Sequence, residues 1–202
     1  MSAMPYVILL GGGGHAAVVL DALRMMDVRC AGYVDDNADA DDLDVPHLGT
    51  VESLHAHPEA ALHAAVGASE HRQTWMNTFA GHVWIPVLHP FAAVASNVAL
   101  GDGVFIGPLA VVNARAALGR GVIINSGAIV EHDNEIYEFA HIAPGAVLGG
   151  GVTVGEHALV GLGSRVLPNV RIGSTAVIGA GAVVTEDVEP GTTVAGVPAR
   201  PR

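Results

Sequence analysis

From Val94 onward an aliphatic residue returns at every sixth position without a miss: Val94, Leu100, Ile106, Val112, Leu118, Ile124, Val130, Ile136, Ile142, Leu148, Val154, Val160, Val166, Ile172, Ile178 and Val184. Neither a helix nor an amphipathic strand repeats in sixes. A hexapeptide period is the mark of a parallel β-helix, in which each short strand buries one aliphatic side chain and then turns a corner. Small residues four places on reinforce it, at Ala110, Ala116, Ala128, Ala140, Ala146, Ala158, Ser164, Ala176 and Ala182. Glycine follows the aliphatic residue at Gly101, Gly107, Gly119, Gly149, Gly155, Gly161, Gly173 and Gly179. The composition suits such a core: 50% of the 202 residues are hydrophobic but only 4% aromatic, and 26 are glycine. A core of this kind is built from thin aliphatic layers.

Residues 1–90 follow another pattern. Tyr6 to Leu10, Cys30 to Val34, Ala64 to Gly67 and Val83 to Leu88 read as strands. His15 to Met26, a stretch from Val51, and Ser69 to Phe79 read as helices, with Ser69 as N-cap of the last. Strands alternating with helices predict a small parallel sheet. The expected organisation is therefore an α/β, Rossmann-like βαβ domain over 1–90 and a parallel β-helix over 91–202.

Charge excludes several functions. Nine basic residues, all arginine, face 20 acidic ones, for a formal net charge of −11. A nucleic-acid backbone is not an expected partner. No polybasic or long apolar stretch points to a membrane. The single Cys30 excludes an internal disulfide framework, and with no basic region before the first apolar run the expected location is the cytoplasm.

The repeat breaks its own rules in one place. Four consecutive hexads carry Asn125, Glu131, Tyr137 and Ala143 where glycine is usual, and Asn134 takes a position otherwise kept small. These departures surround His132, and local rules are broken preferentially at functional sites. Histidine titrates near neutrality and suits a general base. Asp133 can orient that ring only if the segment turns, because neighbours on a flat strand point to opposite faces. His141 lies half a coil further on, on another face. Asn125 is a candidate contact for an acceptor or for its neighbouring loop. His157 reads as a surface histidine. Tyr137 must project outward, either narrowing a pocket beside His132 or packing at a surface. The histidine spacings do not match a zinc site, so no metal is expected.

The glycine run Gly11 to Gly14 follows a strand and opens a helix, as a phosphate cradle requires. Asp35 about twenty residues on would equally suit a dinucleotide, although the domain is short for six strands.

Taken together, Gly11-Gly12-Gly13-Gly14-His15-Ala16, Val34-Asp35-Asp36-Asn37, Leu88-His89-Pro90 and Ile124-Asn125 through Glu131-His132-Asp133 to His141-Ile142 resemble one family over residues 5–200. It is that of bacterial sugar acetyltransferases of the sialic-acid O-acetyltransferase and UDP-4-amino-sugar (bacillosamine pathway) N-acetyltransferase type, within the hexapeptide-repeat superfamily. The resemblance implies a left-handed β-helix, a homotrimer, acetyl-CoA as co-substrate, and a nucleotide-sugar site in the first domain. It implies His132 as base and Asp133 as its tuner. It implies His141, Gly150, Leu162 and Ala180 as donor contacts. Gly14 and His15 would meet the diphosphate or sugar, and Asp35 and Asp36 the uridine end. Ala17 replaces the lysine usual two places after the histidine. The implied reaction is N-acetylation of a nucleotide-linked amino sugar, with a UDP-4-amino-4,6-dideoxy sugar as the expected acceptor. The alternatives are O-acetylation of a sialic-acid-like sugar and a non-catalytic nucleotide-sugar-binding trimer; hydride chemistry with NAD finds no support in the repeat.

Overall fold

The structure is a computed structural model that describes residues 6–37 and 43–202. Its first unit is a three-stranded parallel sheet. Strand β1 (Val7–Leu10) lies between β2 (Cys30–Val34) and β3 (Ala61–Ala64). All four residues of β1 are buried because both of its faces are covered. Val7 and Leu9 pack with Val19, Leu20 and Leu23 of helix α1 (Gly14–Met25), while Ile8 and Leu10 pack with Leu54 and Met76 on the other side. That two-sided burial explains an apolar run without alternation.

Two boundaries differ from expectation. The expected strand Ala64 to Gly67 lies instead at Ala61–Ala64, and Ala65 to Gly67 is the loop that follows it. Here the carbonyls of Val66 and Gly67 turn away from the sheet and accept from Arg72. Helix α2 (Ser69–Thr78) has Ala68, not Ser69, at its N-cap, with no side-chain capping bond.

The second unit is a left-handed β-helix with three flat faces. Successive coils pair in parallel, eighteen residues apart, as in Ile124 beside Ile142 and Ile142 beside Val160. All but the first two of the sixteen periodic residues are buried; Val94 and Leu100 lie in the first coil, with no coil beneath them. The helix starts earlier than the repeat suggested. Val87–Leu88 (β4) pairs with Phe105–Ile106, and Leu88 sits six residues before Val94, in register. The segment read as a last strand of the first unit serves both units: Trp84 bridges to Leu62, then Val87 joins the prism. The glycine that follows eight of the sixteen aliphatic residues reflects close coil spacing. A Cβ on Gly119 would stand 2.8 Å from the Glu138 nitrogen of the next coil.

The two units share a core. The first face of the prism turns Val87, Phe105 and Ile123 outward, and all three are buried in one apolar cluster with Val19, Leu20 and Leu23 of α1. Among the described residues no helix is long and apolar enough to cross a membrane.

Candidate functional site

The glycine loop lies at the edge of a cleft of about 550 Å³, lined by Gly11, Gly13, Gly14, His15, Asp35, Asp36, Asn37, Gly67, His71 and Trp75, among others. Gly11 has φ +102° and its Cβ would press on the Ala65 carbonyl at 3.0 Å, so this position demands glycine. At Gly13 and Gly14 an added Cβ would meet nothing within 4 Å; it would fill the cleft itself. Gly13 caps α1 without a side-chain bond, and the first turn holds no acidic residue. Helix N–H groups therefore face the cleft, a setting that favours an anion. Asp35 shapes the cradle: its two oxygens accept from the N–H groups of Gly12 (2.7 Å) and Asn37 (2.8 Å). Asp36 accepts from the Val51 N–H at 2.9 Å. All four expected acceptor-site residues of the first unit thus line one cleft, with both carboxylates also engaged in holding its walls.

At the base of the cleft the two units meet around Arg72, a residue for which sequence spacing gives no signal. Its side chain is 1% exposed. Among the described residues it forms no ion pair with a carboxylate and instead donates to four backbone carbonyls: Val66 (3.2 Å) and Gly67 (2.6 Å) of the first unit, Gly121 (2.9 Å) and Phe139 (2.5 Å) of the prism. Burial pulls its pKa down to about 10. Three histidines stand nearby. Burial, then the charges of His63, His141 and Arg72, lowers His15 to about 3. Burial and Arg72 lower His63 to about 4, against an opposing bond to the Ile85 carbonyl. Burial and Arg72 lower His141 to about 4, opposed by a bond with the Gly67 backbone. All three rings are neutral at pH 7.

The orientation of His141 follows from its partners. The Asn125 amide oxygen accepts from the Ser126 N–H at 2.8 Å, which aims its NH₂ group at His141 Nε2, 3.0 Å away. Asn125 therefore holds His141. A second cleft of about 300 Å³ runs from Gly67 and His141 past Glu70 to His157 and Leu159. His157 is half-buried rather than a surface residue, stacked on Phe139 with ring centroids 5.3 Å apart.

His132 occupies the corner between the second and third faces, after Ile129–Val130 and before Glu135–Ile136. The turn required for Asp133 to reach the ring is present, with Asp133 at φ +60°. Asp133 Oδ2 lies 2.7 Å from His132 Nδ1. The carboxylate accepts, so Nδ1 carries the hydrogen and Nε2 keeps a free lone pair. Arg115, eighteen residues earlier and so on the coil before, grips the same carboxylate with Nε at 2.6 Å and a terminal nitrogen at 2.7 Å. Hydrogen bonds from Arg115 first, then His132, hold the Asp133 carboxyl well below the usual range. Gly150 lies against the ring: a Cβ there would come within 2.8 Å of Nε2 and 2.7 Å of Cε1. Its lack of a side chain keeps the basic nitrogen open.

Of the four expected donor contacts, Gly150 thus joins His132. Leu162 and Ala180 stack at a different corner, between the first and second faces, both exposed, and His141 begins a strand of the first face. Within one chain the cleft and His141 lie on one side of the prism and His132 on the opposite corner. Tyr137 does not lie beside His132. It sits at the far end of the third-face strand, 45% exposed, and donates to Glu135 at 3.1 Å. Among the described residues no group of three or more His, Cys, Asp or Glu could hold a metal ion.

Comparisons with known proteins give a consistent picture. Residues 6–79 match the family model described as PglD N-terminal domain. No curated protein sequence matches the chain significantly. Among solved structures, a variant of perosamine N-acetyltransferase from Caulobacter crescentus, in complex with CoA and GDP-perosamine, is 36% identical over 99% of this chain and 98% of its own, with a TM-score of 0.94. The acetyltransferase domain of PglB from Neisseria gonorrhoeae, in complex with acetyl coenzyme A, is 33% identical over 99% and 100%, with a TM-score of 0.95. WeeI from Acinetobacter baumannii shares the fold at 24% identity, over 98% and 100%, with a TM-score of 0.88. With such identity along the full length of both chains, this protein is an acyltransferase and belongs to the family of hexapeptide-repeat sugar acetyltransferases.

Proposed function

We propose that the protein transfers an acetyl group from acetyl-CoA to the amine of a nucleotide-linked amino sugar, with His132 as general base. The observation that carries this reading is the His132–Asp133 pair beside a glycine that leaves Nε2 open. The amine must lose a proton as the amide bond forms, and Nε2 is placed to take it while Asp133 stabilises the resulting imidazolium. Acetyl-CoA supplies the activated acetyl group when bound. The first-unit cleft offers helix N–H groups and neutral His15 to a diphosphate, a combination that binds by hydrogen bonding rather than by cationic side chains. Two relatives in complex with CoA or acetyl-CoA, one of them also with GDP-perosamine, support the reaction class.

The working unit is a homotrimer, with each site shared between neighbouring prisms. The cleft and His132 lie on opposite sides of one prism, so a site using both needs a second copy. The second face is suited to meet it. Its outward column runs Val111, Ile129, Val147, Arg165 and Val183, half-buried and apolar but for the exposed Arg165, whereas the third face presents Ala117, Glu135, Thr153 and Arg171. The apolar face is flanked by the His132 corner on one side and the Leu162 and Ala180 corner on the other. Packing it against a neighbour brings the two kinds of corner together.

The experiment is thiol release from acetyl-CoA with a panel of acceptors. Turnover is expected with a nucleotide-linked amino sugar, the UDP-4-amino-4,6-dideoxy sugars and GDP-perosamine being the two arms that decide the carrier. Turnover of a free sialic-acid-type sugar without turnover of any nucleotide-linked amine would overturn the reading.

A further inference from the structure

Among the described residues the inward positions of the prism are aliphatic except at Ser164, which is small, and at Asn134; both are 0% exposed. Every other hexad from Ile106 to Val184 puts a residue no larger than valine at this inward position, usually alanine. An amide here is costly, and its Oδ1 is buried with no partner among the described residues. Its NH₂ group is fully used. It donates to the Glu131 carbonyl at 2.7 Å and the Gly149 carbonyl at 2.9 Å, with the His132 carbonyl at 3.4 Å. At ordinary turns the inward residue's own N–H takes the carbonyl three places back, as Ala128 does with Asn125 and Ala140 with Tyr137. At the His132 corner the Asn134 side chain takes that carbonyl and ties it to the coil above.

The two ends of this tie are the two things that determine where the His132 ring sits. Glu131 leads into the turn of His132 and Asp133 that carries the ring. Gly149 precedes Gly150, against which Nε2 and Cε1 rest. From this geometry we propose that Asn134 is a positioning residue for His132, an interior clamp that sets the distance between the base and the Gly150 wall; the proposal rests on His132 being the base. A buried polar group retained at a cost beside a functional side chain is the pattern expected of such a role.

Asn134→Ala inserts the residue that the repeat already uses at equivalent positions, so the fold is expected to stand, with a melting temperature within about 4 °C of wild type. The expected result is a kcat lowered by about 10 to 10²-fold, since a base displaced by about 1 Å can lose that much, with KM for acetyl-CoA unchanged. Asn134→Ser restores one bond, as Ser164 makes to the Gly161 carbonyl at 2.8 Å, and should recover part of kcat. In the His132→Ala background Asn134→Ala should cost nothing further, because the clamp has no base to position. A second readout does not depend on turnover. The imidazole Cε1–H signal of His132, assigned by its loss in His132→Ala, should shift or broaden in Asn134→Ala. A kcat within twofold of wild type together with an unmoved ring signal would overturn the proposal. A moved ring signal in a protein whose activity survives His132→Ala would uphold the clamp and refute the base.

Discussion

Replacing His132 by alanine should lower kcat/KM by about 10² to 10⁴-fold, the usual worth of a general base, while the oligomeric state and melting temperature stay close to wild type. The side chain is 58% exposed and its described polar partner is Asp133, so its removal opens no cavity in the core. The neighbouring carboxylate does not become stranded, because Arg115 still grips both of its oxygens. Steady-state thiol release and a thermal melt check the two halves of this expectation. A variant that keeps more than half of wild-type activity would remove His132 from the chemistry.

Arg72→Met should produce the largest loss of stability among single substitutions at the site. Methionine matches much of the length of the side chain but donates nothing, so the carbonyls of Val66, Gly67, Gly121 and Phe139 lose a common partner at once. Orphaned buried acceptors cost about 1 kcal/mol or more each, and after partial relaxation a loss of ~3 kcal/mol is expected. For a chain of this size that lowers the melting temperature by roughly 6–12 °C. Activity should fall as well, because Gly67 borders both clefts and bonds to His141. Arg72→Lys keeps a cation but has fewer donors and a shorter reach, and should lie between the two. A melt of Arg72→Met within about 2 °C of wild type would show that the inter-unit carbonyls find other partners.

Much of this architecture is legible in the chain because the prism forces it. Each coil must bury an aliphatic residue every six positions and must keep Cβ atoms away from the next backbone, so the period and the glycines are written openly. Leu88 keeps the period but reads as the end of a first-unit strand, because its strand follows directly on residues that finish the first sheet. Asp133 is readable from adjacency once a corner is assumed. Arg115 is readable only through coil arithmetic, eighteen residues separating it from Asp133. Arg72 carries no signal at all: its prism partners lie 49 and 67 residues away. Asn134 stands out as a break in the repeat, but its use as a tie between Glu131 and Gly149 emerges only when neighbouring coils are stacked. The boundary of β3 is not legible because Val66 has the character of a strand residue, whereas its carbonyl turns toward Arg72.

The central claim is that one chain supplies the nucleotide-sugar cleft and its neighbour supplies the base. Its most direct measurement is the activity of mixed trimers from equal co-expression of His132→Ala and Asp35→Ala chains. The second variant frees the N–H groups of Gly12 and Asn37 and should disable the cleft, leaving its own His132 corner intact. Each variant alone should be inactive. In random trimers a site pairs an intact cleft with an intact neighbouring base in about a quarter of cases, so the mixture should recover about that share of wild-type turnover. Activity no greater than the sum of the two separate variants would place the cleft and the base within one chain and contradict the account.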